Sequence, residues 1–248
     1  MRLRRGISIL PSLFTTGNIF CGFYAFIAVL DGKFYMAAWA IVFAIIFDGL
    51  DGRIARLTKT TSEFGEQYDS LADVISFGMA PAFLIYVWKL KPFGRIGWMA
   101  AFLFLICAAM RLARFNSIEP EPGTDHFTGL PTPGSAAVIA TIVIFSEDRF
   151  MSPIQPVFLV VTVYLLAFMM VSNIPYPAFK KLTFKKKVPF ARFMFVILIL
   201  YIFATVPRLT LCFVSLGYAL LGPLRLSYLF LKEKWAQREK ESRIHENH

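Results

Sequence analysis

The chain has 248 residues, of which 57% are hydrophobic and only 17% are charged, with a formal net charge of +10. A soluble domain of this length usually carries about a quarter charged residues, so the composition excludes an ordinary soluble protein and indicates a chain surrounded by lipid. It also excludes disulfide-rich scaffolds, because the 3 cysteines stand alone inside apolar runs. In a membrane protein a basic excess is typical of cytoplasmic loops, so we expect no nucleic-acid partner.

Eight apolar segments are candidates to cross a hydrocarbon layer of about 30 Å as helices. They cover 11–30, 34–57, 64–88, 94–115, 133–147, 154–172, 190–206 and 210–231, and the fifth is the shortest. The sequence therefore predicts an all-α, polytopic helical bundle. We expect a core of six transmembrane helices over 1–175, two additional transmembrane helices over 176–231 and a polar cytoplasmic tail over 232–248.

The basic residues indicate how the bundle is oriented. An even number of spans puts both termini on one side of the membrane, and most of the 26 Lys and Arg residues fall at the termini and in every second loop. The positive-inside rule then places both termini in the cytoplasm. The basic loop 180–187 is interpreted as an orientation signal and a contact for anionic membrane lipids, with a dedicated binding role as the alternative.

Four aspartates interrupt the second and third predicted spans: Asp48 and Asp51, then Asp69 and Asp73. Each intramembrane carboxylate costs a few kcal/mol or more unless it is paired or hydrated. If the two spans are antiparallel helices, the rise of 1.5 Å per residue puts the aspartates in two facing layers, about 13 Å and 8 Å from the cytoplasmic ends. Four carboxylates so close together need a compensating charge.

A cluster of carboxylate oxygens suits a hard divalent cation such as Mg²⁺, Mn²⁺ or Ca²⁺ rather than zinc. Two such cations can clamp a pyrophosphate, which points to phosphoryl-type transfer at a membrane surface. One alternative is a structural ion-pair network with Arg53 and Arg56, although this leaves an excess of negative charge. Another is a cation transporter, whose aspartates would lie near the midplane between repeated halves.

The spacing of these residues, D-x2-D-G-x2-A-R-x8-G-x3-D-x3-D, resembles the signature of the CDP-alcohol phosphatidyltransferases. All eight places are filled, by Asp48, Asp51, Gly52, Ala55, Arg56, Gly65, Asp69 and Asp73. Four further stretches resemble the branch of that family that uses L-serine, and they read LPSLFT at 10–15, DSLADVISFG at 69–78, RLARFN at 111–116 and FTGLPTP at 127–133. One departure is Ser12, where that branch usually has Asn.

The resemblance implies a six-helix core with its active site open to the cytoplasm, in a homodimer, and we expect the inner membrane of a prokaryote. The implied reaction transfers the phosphatidyl group of CDP-diacylglycerol to the hydroxyl of L-serine and releases CMP. Two divalent cations, Mg²⁺ or Mn²⁺ and in some cases Ca²⁺, would be held by the four aspartates, with Asp73 also the catalytic base. Gly52, Ala55, Arg56 and Gly65 would bind CDP-diacylglycerol.

Serine itself adds two chemical requirements. Its hydroxyl is a poor nucleophile at neutral pH and needs a base within hydrogen-bond reach, so we expect direct in-line attack without a covalent enzyme intermediate. Its carboxylate suits a guanidinium, and we assign Arg111, Arg114 and Ser76 to serine binding. The alternative for the two arginines is that they only mark the cytoplasmic boundary. The nearest competing function is the same fold with glycerol phosphate or an inositol phosphate as acceptor.

Polar and small residues also share one face of the first span. Thr15 and Asn18 are candidates to bind the nucleotide of CDP-diacylglycerol, together with Gly22 on the same face. Small polar residues also join transmembrane helices to each other, and we favour this second interpretation for the face as a whole.

Overall fold

The computed structural model describes residues 2–58, 62–117, 126–146, 155–177, 194, 201 and 205–246. The described helices are α1 (Arg2–Leu30), α2 (Phe34–Thr58), α3 (Glu63–Phe93), α4 (Arg95–Ser117), α5 (Thr132–Ser146), α6 (Pro156–Val171) and α7 (Pro207–Glu246). Two short strands, β1 (His126–Thr128) and β2 (Pro175–Pro177), pair antiparallel. The predicted all-α class is confirmed, and the small sheet is an addition to it.

Among the described residues, five helical segments are long and apolar enough to cross a membrane: Pro11–Leu30 of α1, all of α2, α3 and α4, and Pro207–Arg225 of α7. The helices α5 and α6 are apolar but shorter, and they correspond to the predicted fifth and sixth spans. The predicted seventh span, 190–206, lies mostly outside the described residues, and the loop 180–187 lies wholly outside them. The chain is a helical membrane protein, as its composition predicted.

The helices pack in two groups around apolar cores. One core joins α1, α2, the middle of α3 and α5, and many of its buried positions are alanines, which let the helix backbones approach closely. The other joins the end of α3 with α4, α5 and α6. Because α3 and α5 contribute to both, the bundle is continuous, and the first three helices stand together on one side of it.

The start of α3 is fixed by its own sequence. Ser62 precedes the helix with an extended backbone, and its Oγ accepts a hydrogen bond of 3.1 Å from the Gly65 N–H. Glu63 and Glu66 place negative charge in the first turn, where it interacts favourably with the helix dipole. This cap defines where α3 begins opposite the end of α2.

The hydrogen-bonding pattern of α3 changes directly after Asp73. Residues Val74–Met79 and Tyr86–Leu90 form wider π-helical turns. Such turns occur frequently at functional sites and rotate the side chains that follow. At the first of them α1 crosses very closely, since a Cβ on Gly22 would lie 2.4 Å from the Ser76 Oγ and 3.0 Å from its Cα. Gly22 therefore serves helix packing, as favoured from the sequence.

Candidate active site

The helices α2 and α3 bring the predicted carboxylates together. Oxygen atoms of Asp48, Asp51 and Asp69 lie within 4.8 Å of one another, so this group could hold a metal ion. Asp73 adjoins the group, because its carboxyl interacts electrostatically with all three of these aspartates. We call these four residues the carboxylate cluster. Helical spacing and the turn between two adjacent helices are sufficient to assemble it.

No Lys or Arg in the described part of the chain forms an ion pair within 4 Å with a carboxylate of the cluster. The ion pair within 4 Å there is the exposed Lys33–Asp31 contact, at 3.0 Å. Arg53 is exposed, and Arg56 donates from its Nε to the Gly52 carbonyl oxygen at 2.9 Å instead. Within the described residues the structure therefore does not show the ion-pair network considered from the sequence.

One atom of the cluster also lacks a hydrogen bond. Asp69 Oδ1 is buried and has no hydrogen-bond partner among the described residues. A buried oxygen without a partner is costly unless an ion or water occupies the position next to it. Carboxylates that converge without neutralising side chains are the donor set that a hard divalent cation prefers, so the residues present fit such an ion.

The first helix orients two of the aspartates. Thr15 is buried, and its Oγ1 donates to Asp51 Oδ2 at 3.0 Å. Asn18 is fully buried, and its Nδ2 donates to Asp73 Oδ1 over 3.4 Å, whereas its own Oδ1 has no partner among the described residues. The two residues thus contact the carboxylate cluster directly, and their predicted contact with the nucleotide stays a prediction.

A cavity of about 160 Å³ opens beside the cluster, between the start of α1, the end of α2 and the start of α3. At Gly52 an added Cβ would meet no described residue within 4 Å, which leaves room for a ligand beside the backbone of α2. The predicted CDP-diacylglycerol residues other than Asn18 all lie in its wall. The lining is Pro11, Ser12, Thr15, Asp51, Gly52, Ala55, Arg56, Ser62, Gly65, Glu66 and Asp69.

Sequence reasoning assigned no role to four of these lining residues, Pro11, Ser12, Ser62 and Glu66. Ser62 and Glu66 carry a recognisable helix-start pattern, but that pattern signals only the cap. Pro11 and Ser12 come from α1, far away in the chain. Only the packing of α1 against α3 shows that these residues share a wall.

The three predicted serine-binding residues are placed differently. Arg111 is half-buried, its Nη1 donates to Thr132 Oγ1 over 3.4 Å, and its buried Nε has no hydrogen-bond partner among the described residues. The Arg111 guanidinium also interacts electrostatically with Asp73. Arg111 is therefore a cation close to the carboxylate cluster with a donor still available.

Arg114 and Ser76 have other partners. Arg114 is exposed, and its Nη2 donates to Asn173 Oδ1 at 2.8 Å, just before β2. Ser76 is fully buried, and its hydroxyl donates to the Asn18 carbonyl oxygen at 3.0 Å. Their assignment to serine binding stays a prediction.

Fold and site together define an integral membrane protein with an acidic cluster that could hold a metal ion beside a cavity. The sequence model of the family described as CDP-alcohol phosphatidyltransferase matches residues 8–171. The match covers more than half of the chain and includes the whole carboxylate cluster. This protein belongs to the CDP-alcohol phosphatidyltransferase family.

Several curated relatives are similar over most of their length. A protein of Helicobacter pylori (strain ATCC 700392 / 26695) named CDP-diacylglycerol–serine O-phosphatidyltransferase is 38% identical over 225 residues, which cover 90% of this chain and 93% of that protein. The protein of the same name in Bacillus subtilis (strain 168) is 32% identical over 71% of this chain and 93% of its own length. The archaetidylserine synthase of Methanothermobacter thermautotrophicus is 37% identical over 68% of this chain and 69% of its own.

Proposed function

We propose that this protein transfers the phosphatidyl group of CDP-diacylglycerol to the hydroxyl of L-serine, giving phosphatidylserine and CMP. The observation that carries the proposal is the convergence of Asp48, Asp51 and Asp69 beside the cavity that Gly52 and Arg56 line. This arrangement suits a diphosphate at the membrane surface. The choice of serine as acceptor is supported by relatives that carry a serine-transferase name over nearly the whole chain.

In this proposal the cavity receives the CMP part of the donor lipid. Gly52 and Ala55 leave space along α2, and the positive charge of Arg56 offsets the charge of a phosphate. Gly65 lies at the capped start of α3, where a larger side chain would press on Ser62 Oγ at 3.1 Å. Bound divalent cations would offset the charge on the diphosphate and on the leaving CMP. We propose two ions, Mg²⁺ or Mn²⁺, held by the carboxylate cluster.

The chemical step is a single displacement at the lipid-side phosphorus. The serine hydroxyl oxygen forms the new bond to phosphorus, the bond from that phosphorus to the CMP oxygen breaks, and CMP leaves with the electron pair. Asp73 takes the hydroxyl proton, since it adjoins the three converging carboxylates without being one of them. Asn18 holds Asp73 through its side-chain amide, which keeps the base in place for the proton transfer.

Arg111 binds the carboxylate of serine in this proposal. Its guanidinium lies within electrostatic reach of Asp73, and its Nε is available as a donor. A guanidinium is the side chain best suited to a carboxylate, because its donors match the two oxygens. The serine hydroxyl would then be presented to the base while the carboxylate is held on Arg111.

The remaining assignments concern the setting of the reaction. We propose that the protein lies in a prokaryotic inner membrane with both termini and the active site on the cytoplasmic side, as the distribution of Lys and Arg predicts. We also propose a homodimer, on the family resemblance alone. The mass of the purified protein in detergent, corrected for bound detergent, tests the dimer.

The decisive experiment supplies acceptor alcohols one at a time. Purified protein is incubated with CDP-diacylglycerol and Mn²⁺ or Mg²⁺ together with L-serine, glycerol phosphate or an inositol phosphate, and CMP release is measured. We expect release with serine and none above background with the other two. Release that depends on glycerol phosphate or inositol phosphate, and not on serine, would contradict the proposal.

A further inference from the structure

The last helix, α7, lies beyond the residues 8–171 that match the family, yet buried polar contacts hold it against the core. The hydroxyls of Thr141 on α5 and Ser215 on α7 hydrogen-bond at 2.8 Å. Tyr176 in β2 is fully buried, and its hydroxyl donates to the Ala219 carbonyl oxygen at 3.0 Å. Because a shifted helix would leave these buried groups without partners, the contacts fix α7 at one position along the bundle.

This position places the ring of Tyr218 against the first turns of α5. A Cβ on Gly134 would lie 3.1 Å from Tyr218 Cε1 and 3.3 Å from Cδ1, so the glycine makes room for the ring. The ring of Tyr176 lies beside it, with the centroids 5.8 Å apart. Tyr218 is thus held between α5 and β2.

Arg111 reaches the same part of α5 from α4. Its contact there is Thr132, two residues before Gly134. The Arg111 guanidinium and the Tyr218 hydroxyl interact electrostatically. We call Arg111, Thr132, Gly134, Tyr176 and Tyr218 the Arg111 corner.

We propose that Tyr218 positions the Arg111 guanidinium for the carboxylate of the acceptor, so that α7 completes the acceptor site. This inference rests on the proposed function, in which Arg111 binds serine. An arginine side chain has many rotamers to lose, and the hydrogen bond of Arg111 to Thr132 is long. A neighbouring aromatic hydroxyl that restricts those rotamers lowers the entropy lost when the acceptor binds. Both residues touch the first turns of α5, Arg111 at Thr132 and Tyr218 at Gly134, so Tyr218 would act through Arg111 and not on the reacting atoms.

The test separates acceptor binding from turnover. Tyr218→Phe removes the hydroxyl and keeps the ring, and we expect the KM for serine to rise about fivefold, which corresponds to about 1 kcal/mol. Gly134→Ala adds a methyl group on α5 that would press on the ring of Tyr218, and it should also raise the KM for serine. In both variants the KM for CDP-diacylglycerol and kcat should stay within about twofold of wild type, because the donor site and the base are unchanged.

Two matched controls separate positioning from simple helix docking. Ser215→Ala removes the hydrogen bond to Thr141, which helps to hold α7, and leaves the Tyr218 hydroxyl in place. Gly217→Ala adds a methyl group next to Tyr218 where nothing lies within 4 Å. Both controls should keep the serine KM within about twofold of wild type. An equal rise in serine KM in Ser215→Ala and Tyr218→Phe would overturn the proposal.

A double variant distinguishes this inference from the proposed function. If Tyr218 acts through Arg111, then Tyr218→Phe should change the serine KM little once Arg111→Lys is present. Fully additive effects would overturn the positioning role and leave serine recognition by Arg111 intact. An unchanged serine KM in Arg111→Lys alone would instead show that Arg111 does not recognise serine.

Discussion

The carboxylate cluster and the Arg111 corner interact electrostatically through Asp73 and Arg111, but they are assembled in opposite ways. The cluster comes from two helices that follow each other in the chain, and it concentrates negative charge. The corner comes from α4, α5, β2 and α7, and it combines a guanidinium that donates to Thr132 with the neighbouring rings of Tyr176 and Tyr218. In the proposed function the cluster would bind the diphosphate of the donor, and the corner would bind the carboxylate of the acceptor.

The strongest test of this division removes the base. Asp73→Asn keeps the shape of the side chain but removes the group that accepts the proton, and general-base catalysis contributes about 10²- to 10⁴-fold. We expect a loss of kcat of that order, measured as CMP release at an Mn²⁺ concentration that saturates the variant. Asp31→Asn, in an exposed pair with Lys33, is the matched control and should keep full activity. Turnover close to wild type in Asp73→Asn would refute the base assignment.

Two arginine variants test whether donor and acceptor are recognised separately. Arg111→Lys keeps the charge but loses the guanidinium fork, and we expect the serine KM to rise about tenfold or more with little change in the CDP-diacylglycerol KM. Arg56→Lys should raise the KM for CDP-diacylglycerol and change the KM for serine little, because Arg56 lines the cavity beside the cluster. Both constants are measured by varying one substrate at saturation of the other. If Arg111→Lys and Arg56→Lys each raise the KM for serine and the KM for CDP-diacylglycerol equally, the cluster and the corner do not bind separate substrates.

The smallest effect on catalysis is expected for substitutions that change only the packing of one helix against another, such as that of α1 against α3. Gly22→Ala forces a methyl group against Ser76, within 3.0 Å of its Cα, and overpacking of this kind costs about 1 to 3 kcal/mol. We expect a lower midpoint of thermal unfolding in detergent. At Gly49, by contrast, an added Cβ meets nothing within 4 Å, so Gly49→Ala should not lower the midpoint. Equal midpoints for the two variants would show that the crossing of α1 and α3 is less tight than described.

The cluster could be predicted from the sequence because helix periodicity and one short turn determine where its members lie. In a regular helix Ser76 would share a face with Asp69 and Asp73, but in the structure a π-helical turn follows Asp73, and the Ser76 hydroxyl is buried against α1. No local pattern indicates either feature. Regular helix geometry therefore predicts the positions of the side chains up to Asp73, but not those of the residues that follow it.

The Arg111 corner could not be predicted in the same way. Arg111 and Arg114 are alike in sequence, and only the fold separates a half-buried residue near Asp73 from an exposed one bound to Asn173. Tyr218 lies on a helix whose composition predicts a membrane span and nothing more. The pairing of β1 with β2 joins two loops with proline-rich sequences, where strands are not expected. Each of these features depends on contacts between distant parts of the chain.

The measurement that tests the central claim most directly follows both products in one reaction. Purified protein, CDP-diacylglycerol, Mn²⁺ and labelled L-serine are incubated, and CMP and labelled lipid are quantified over time, with and without serine. The account predicts one phosphatidylserine formed for each CMP released, and no CMP release when serine is omitted, since serine attacks the lipid phosphorus directly. The account would be contradicted if CMP were released at the same rate when serine is omitted, or if CMP were released in the presence of serine and no labelled lipid formed.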